Sequence, residues 1–402
     1  MAIHASPAIA MPIVVIAIAQ LFGTALWFTP NAVIGDLQQA WSLAATDLGW
    51  LTGAVQVGFL LGTLGIGLSG LADRRDASRL FAAACLLGAG ANALLPLAGG
   101  LWPAVGLRLI SGLALAGIYP IGMKLMVGWT PGRTGLGLAW LVGMLVIGTA
   151  LPHALYGLSL LDAFRLPWAS GVWGASVLAL IAALMIAWLG EAPEVAAAKG
   201  KAQGKRPTFD LSVFAIAGYR RAAGGYFGHM WELYTLWALI PLLLAQAWPG
   251  ASPVGLALGS FALIAIGGPG CWLGGWLSQR IGSRRVAMLG LIGSGGCSLF
   301  YPWLTGAPSL VLVIFLGLWS ALAVVDSAHF SALSARACPS HLLGTGLTLQ
   351  NAIGFGVSVL SLIVLVPLWP LLGEWLAWLL LPGPAIGLWL IGRALPNTTQ
   401  NA

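Results

Sequence analysis

Long apolar runs separated by short polar gaps dominate the chain. Runs of 18 or more residues with few charges have the length and composition of membrane-spanning helices. They fall near residues 9–32, 48–68, 80–99, 102–126, 135–158, 168–189, 216–245, 254–277, 285–304, 308–332, 343–366 and 371–392, twelve in all. Each can cross a hydrocarbon core of about 30 Å. The one long polar interval, Gly190 to Asp210, reads as a flexible linker and divides the spans six and six. The pattern predicts an all-α membrane protein of twelve transmembrane helices in two six-helix repeats. The expected boundaries are an N-terminal bundle over 1–189, a cytoplasmic linker over 190–211 and a C-terminal bundle over 212–402.

The cations set an orientation. Arg74, Arg75 and Arg79 follow span 2, Arg133 follows span 4, and Lys199, Lys201, Lys205, Arg206, Arg220 and Arg221 separate spans 6 and 7. Arg280, Arg284 and Arg285 follow span 8, Arg336 follows span 10 and Arg393 follows span 12, whereas the odd-numbered gaps hold only Arg165. Lys and Arg are retained on the cytoplasmic side. Both termini and the linker are therefore expected in the cytoplasm.

Composition agrees with a membrane protein and narrows its partners. The chain is 59% hydrophobic and 7% charged, too apolar for a soluble protein of 402 residues. Its 56 glycines are about twice the average usage, and Gly58-x-x-x-Gly62 has the spacing of close helix packing in lipid. The net charge of +7 lies in the gaps between spans, so a nucleic-acid partner is not expected. Cys85, Cys271, Cys297 and Cys338 show no ligand spacing and read as buried small hydrophobes. The first eleven residues carry no Lys or Arg, so a cleavable signal peptide is not expected.

The halves echo one another. Setting Asp73 over Gln279 aligns Leu71 with Leu277, Arg74 with Arg280 and Arg79 with Arg285, an offset of 206 residues. A duplicated six-span unit is a transporter architecture. The loops "SGLADRRDASR" and "GWLSQRIGSRR" resemble the signature between spans 2 and 3 of the major facilitator superfamily, through Asp73, Arg74, Arg280, Gly282 and Arg284. Ser69 and Asp76 stand where the family has glycine, and Gln279 stands in place of the acid. "RLISG", Arg108 to Gly112, resembles the family's span-4 signature, and "GIYPIGMK" is similar to bacterial members. "GTALPH" in span 5 departs from the antiporter signature.

The resemblance implies a bacterial inner-membrane transporter whose spans 1, 4, 7 and 10 line a central cavity. It also implies a cytoplasmic gate made by Asp73, Arg74, Arg280 and Arg284. The competing reading of these charges is that they only end helices and set topology.

Ionisable residues at bilayer depth are costly and point to function. Span 4 carries Arg108 and Lys124, span 5 His153, span 7 His229 and Glu232, and span 10 Asp326 and His329. At 1.5 Å per residue, Glu232, Asp326 and Lys124 lie roughly 14–18 Å from the nearest cytoplasmic cation, near the midplane. His229-x-x-Glu232 and Asp326-x-x-His329 each put two side chains on one helix face. Three readings stay open. The pairs handle protons, since a dry cavity favours the neutral carboxyl and histidine titrates near neutrality. They hold a metal through two imidazoles and two carboxylates. Or they pair with Lys124 or each other to join helices. Gln20, Asn351, Tyr226 and Trp231 complete the candidate substrate or proton site; the competing readings are a polar seam against span 2 for Asn351 and plain packing for the two aromatic residues. No resident metal site and no cofactor are expected.

No GxxxxGK[ST], nucleophile elbow or HExxH appears, so neither an ATP-driven pump nor an enzyme is expected. A scaffold that had lost transport would gain nothing from buried charges. The expectation is a monomeric secondary transporter of a small organic, anionic solute, working with protons by symport and alternating access. The alternatives are a proton-coupled exporter, or a metal-ion or metal-chelate transporter using the His/carboxylate pairs.

Overall fold

The computed structural model describes residues 7–44, 46–131, 134–161, 168–199, 210–339 and 342–393. Among them there is no strand. Nine single stretches are long and apolar enough to cross a membrane, and a tenth, Leu343–Gly392, is 50 residues long and holds spans 11 and 12. Span 1 contributes the shorter apolar helix Met11–Thr24. The all-helical, multi-pass reading of the hydropathy pattern therefore stands. The outer surface is lipid-like, with Leu184 and Trp188 each 71% exposed.

Most helices match their runs to within a few residues. Span 2 is Asp47–Ser69, span 4 is Leu101–Trp129, span 5 is Thr134–Ser159, span 6 is Ala169–Leu189 and span 7 is Ala217–Ala247. Span 3 is Ala77–Ala93, span 9 is Ser283–Leu304 and span 11 is Leu343–Leu365. Four spans are interrupted. Span 1, expected over 9–32, stops at Thr24, turns through Ala25–Phe28 and resumes at Thr29–Ala32. Span 8 comes in two pieces, Pro253–Ala265 and Gly267–Ile281. Span 10 is also in two pieces, Ser309–Leu322 and Ser327–Ala337. Span 12 is assembled from short turns that end in the helix Pro382–Gly392. The expected flexible linker opens instead with a helix, Pro193–Lys199. Proline in the first turn, Glu194 behind it and an alanine run favour that helix locally.

Neighbour relations repeat between the halves. Span 1 packs on spans 4, 5 and 6, and span 7 packs on spans 10, 11 and 12. Spans 2 and 3 pack on span 4, as spans 8 and 9 pack on span 10. Span 3 meets span 6, as span 9 meets span 12. The halves touch mainly through span 2 against span 11 and span 5 against span 8. The glycine spacing in span 2 does what its pattern implies. A Cβ at Gly58 would lie 2.1 Å from the Leu109 carbonyl, so spans 2 and 4 approach at backbone contact.

Candidate functional site

The two breaks put special groups at the middle of the fold. In span 1 the helical partner of the Leu26 carbonyl would be the N–H of residue 30, which is a proline. Arg108, 1% exposed, supplies the missing donors. Its Nη1 donates to Leu26 O at 3.0 Å and its Nη2 to Trp27 O. Arg108 therefore ties span 4 to the broken end of span 1. In span 10 the break covers Ala323–Asp326, where two valines are followed by Asp and Ser, residues that compete poorly for helix. Gly290 of span 9 makes room for that turn, since a Cβ there would lie 2.9 Å from Asp326 Cβ.

Asp326, at the break, meets span 7. His229 Nδ1 lies 2.8 Å from Asp326 Oδ1, an ion-pair distance without the alignment of a full hydrogen bond. His229 Nε2 lies 2.8 Å from Ser327 Oγ. Both members of the pair are buried. Glu232, 1% exposed, has its own partners. Trp319 Nε1 donates to its Oε1 at 2.8 Å and Ser294 Oγ donates to its Oε2 at 2.8 Å. The carboxylate thus joins spans 7, 9 and 10, with each oxygen hydrogen-bonded, as a buried charge requires. His329 turns toward span 8 near Gly274, and its Nε2 has no hydrogen-bond partner.

Two cavities lie along this path. The larger, of about 270 Å³, opens between Ile66–Ala72 at the end of span 2 and Gly344–Thr348 at the start of span 11. Among the described residues Lys124 is the one charged side chain that lines it, and its Nζ donates to Ala72 O at 2.5 Å. The smaller, about 60 Å³, is lined by Tyr226, His229, Ser327, Ser331 and other residues, many of them aromatic. Met123 and Asn351 line both. Beyond the smaller cavity the aromatic rings close up. Trp27 stacks on Tyr234 at 5.6 Å and on Phe355 at 5.9 Å between centroids, and Phe59 meets Phe355 at 4.1 Å. These four rings come from spans 1, 2, 7 and 11, so the plug crosses between the halves.

The placements sort the candidates. His229, Tyr226 and Asn351 line the small cavity, and Asp326 pairs with His229 without lining the cavity itself. Glu232 and His329 line neither cavity; Glu232 is satisfied among spans 7, 9 and 10. Lys124 donates to Ala72 O at the end of span 2, and Arg108 serves span 1. Gln20 is fully buried beside Gly122, with neither amide atom hydrogen-bonded. Trp231 donates to Leu379 O at 2.9 Å and packs on span 12. Among the gate residues, Arg74 donates to Ser69 O, Arg280 lies 4.0 Å over the Trp276 ring, and Arg284 donates to Ile391 O at 3.0 Å. Each of these contacts stays within one half. The Asp73 side chain lies outside the described residues. Among the described residues no three His, Cys, Asp or Glu side chains group to hold a metal.

Sequence reasoning missed Trp319, Ser294 and Ser327, the partners of the buried charges. It also missed the plug. Trp319 precedes Asp326 by two helical turns, a spacing that a search for donors near the acids would have found.

Comparison with known proteins agrees with this architecture. Residues 16–362 match the Major Facilitator Superfamily. The chain belongs to that superfamily. Membership makes this membrane protein a secondary transporter rather than an enzyme. Among solved structures, the chain is similar to the xylose transporter XylE from E. coli in a partially occluded, inward-open conformation. The TM-score is 0.76 at 13% identity, covering 99% of this chain and 100% of that one. A second XylE structure, with bound 6-bromo-6-deoxy-D-glucose, gives 0.75 at 14% identity, covering 96% and 95%. The nucleoside transporter NupG gives 0.69 at 15% identity, covering 95% of this chain and 98% of that one. These likenesses concern fold. Comparison with curated proteins finds no match.

Proposed function

We propose that this transporter moves a small organic anion across the bacterial inner membrane by proton symport and alternating access. It acts as a single chain, with both termini cytoplasmic and bundles 1–189 and 212–402 joined by linker 190–211. The observation that carries the coupling is the buried His229–Asp326 pair, whose imidazole forms part of the small cavity's wall. An imidazole–carboxylate pair at a cavity wall can take a proton from incoming water and yield it when the surroundings change. Glu232, three residues along span 7, is the second proton-carrying group.

The solute enters the larger cavity, where Lys124 meets its anionic group, and its body passes Asn351 toward Tyr226 and His229. The aromatic plug supports the reading that the opposite mouth is shut in this conformation. XylE, described as a proton:xylose symporter, lends the symport direction weight. The span-5 departure from the antiporter signature does the same.

The test is flux in proteoliposomes with and without a pH gradient. A gradient should drive uptake by the parent protein. Asp326→Asn should lose gradient-driven accumulation while keeping solute exchange at equal pH. Accumulation by Asp326→Asn equal to the parent's would end the coupling proposal for this pair. Gradient-driven extrusion from inverted vesicles would instead identify an exporter.

A further inference from the structure

Four arginines surround a third cavity, of about 240 Å³, at the ends of spans 7, 9, 10 and 12. They are Arg221, Arg284, Arg336 and Arg393, set around a floor that includes Leu333 and Ile391. Among the described residues no carboxylate lines it, and none of the four has an ion pair to one. From Ala217 onward, the gaps on this membrane face carry Arg220, Arg221, Arg280, Arg284, Arg285, Arg336 and Arg393 and no Asp or Glu.

The arginines are partly positioned in advance. Arg284 Nε and Nη2 donate to Ile391 O and Gly392 O at 3.0 and 2.9 Å, and Arg221 Nη1 donates to Arg393 O at 3.1 Å. Arg393 lies 3.7 Å over the Trp389 ring. Carbonyls at the end of span 12 thus orient two guanidinium groups and an aromatic ring orients a third. These contacts do not neutralise the cluster's charge.

The repeat shows that the fold itself does not demand this charge. At the 206-residue offset, the four positions correspond to Val15, Ser78, Thr130 and Ala187 of the first half. There the matching helix end is served by acids instead. Asp76 Oδ1 accepts from Arg79 N at 3.0 Å, and Glu191 Oε1 accepts from Ala77 N at 2.8 Å. The second half has replaced this acidic arrangement with a concentrated positive charge beside an apolar floor.

We infer that the cavity is a binding site for a phosphate group, supplied by an anionic phospholipid headgroup or by a soluble phosphate. Planar guanidinium forks match phosphate oxygens. Basic pockets between membrane helices on the cytoplasmic face suit phospholipid headgroups. The apolar floor would hold the start of an acyl chain.

Thermal unfolding of the purified full-length protein in detergent, titrated with ligand, tests this. The probes are phosphatidylglycerol, phosphatidylcholine and inorganic phosphate. Phosphatidylglycerol should stabilise the protein and phosphatidylcholine should not. The double variant Arg336→Gln/Arg393→Gln should weaken the apparent affinity about tenfold or more, given the contribution of each cation near a charged surface. Arg285→Gln, exposed next to the cavity but not lining it, should change the affinity less than about twofold, a difference too small to mark a direct contact. Arg393→Gln alone, at the end of span 12, serves if the double variant does not fold. Stabilisation by inorganic phosphate at the same variant-sensitive site identifies the soluble source; a need for the lipid identifies the headgroup. Unchanged affinity in the cavity variants overturns the site, as does an equal loss in Arg285→Gln.

Discussion

Glu232 is held by two donors, the Trp319 indole and the Ser294 hydroxyl, so its function can be separated from its structural contribution. Glutamine has nearly the same shape. It can still accept from the indole, and its amide can donate to the serine oxygen. What it cannot do is exchange a proton. A pH difference of one unit drives about tenfold accumulation per coupled proton. Glu232→Gln is expected to bring the accumulation ratio near unity while leaving solute exchange and thermal stability close to the parent's. Flux in proteoliposomes and a thermal melt check the two halves of the expectation. A variant that accumulates as well as the parent would confine Glu232 to joining spans 7, 9 and 10. A sequence could show that these ionisable groups were buried, because hydropathy marks their depth. It could not show which would meet, because Lys124 and Asp326 at similar estimated depth reach different neighbours once helix rotation is set.

Among the elements, the broken spans 1 and 10 matter most. Span 1 breaks where Pro30 removes the donor for Leu26, and Arg108 compensates across 82 residues of chain. Arg108→Ala would leave two carbonyls without that donor in a dry interior. The expected cost is about 2 kcal/mol or more, read as a lower midpoint of thermal unfolding. Arg108→Lys should recover part of the loss, since an ammonium lacks the planar fork that reaches both carbonyls. Melting unchanged in Arg108→Ala would show that Thr29, which also donates to Leu26 O at 3.2 Å, suffices. Pro30 was a visible signal for this break. Span 10 has no proline or glycine at its own break, Ala323–Asp326. Its interruption depends on the valine pair at Val324–Val325 and on the room left by Gly290 in span 9.

Over the whole molecule, the cation pattern carries the proposed orientation. A cysteine in place of Lys201, which lies outside the described residues, is expected to react with an impermeant maleimide in broken but not intact cells. Labelling of intact cells would invert the proposed orientation. The hydropathy pattern by itself determined that this is an all-helical, multi-pass membrane protein, and the repeated loop motifs pointed to its superfamily. Both follow from local chemistry: a span's preference for lipid is a sum over its own residues. The tertiary structure alone decided that His229 pairs with Asp326, that Arg108 serves span 1, and that the rings of Trp27, Phe59, Tyr234 and Phe355 meet across the halves. Those outcomes depend on how each helix is rotated and where it breaks. Packing between spans sets both, and a single span's composition does not encode them.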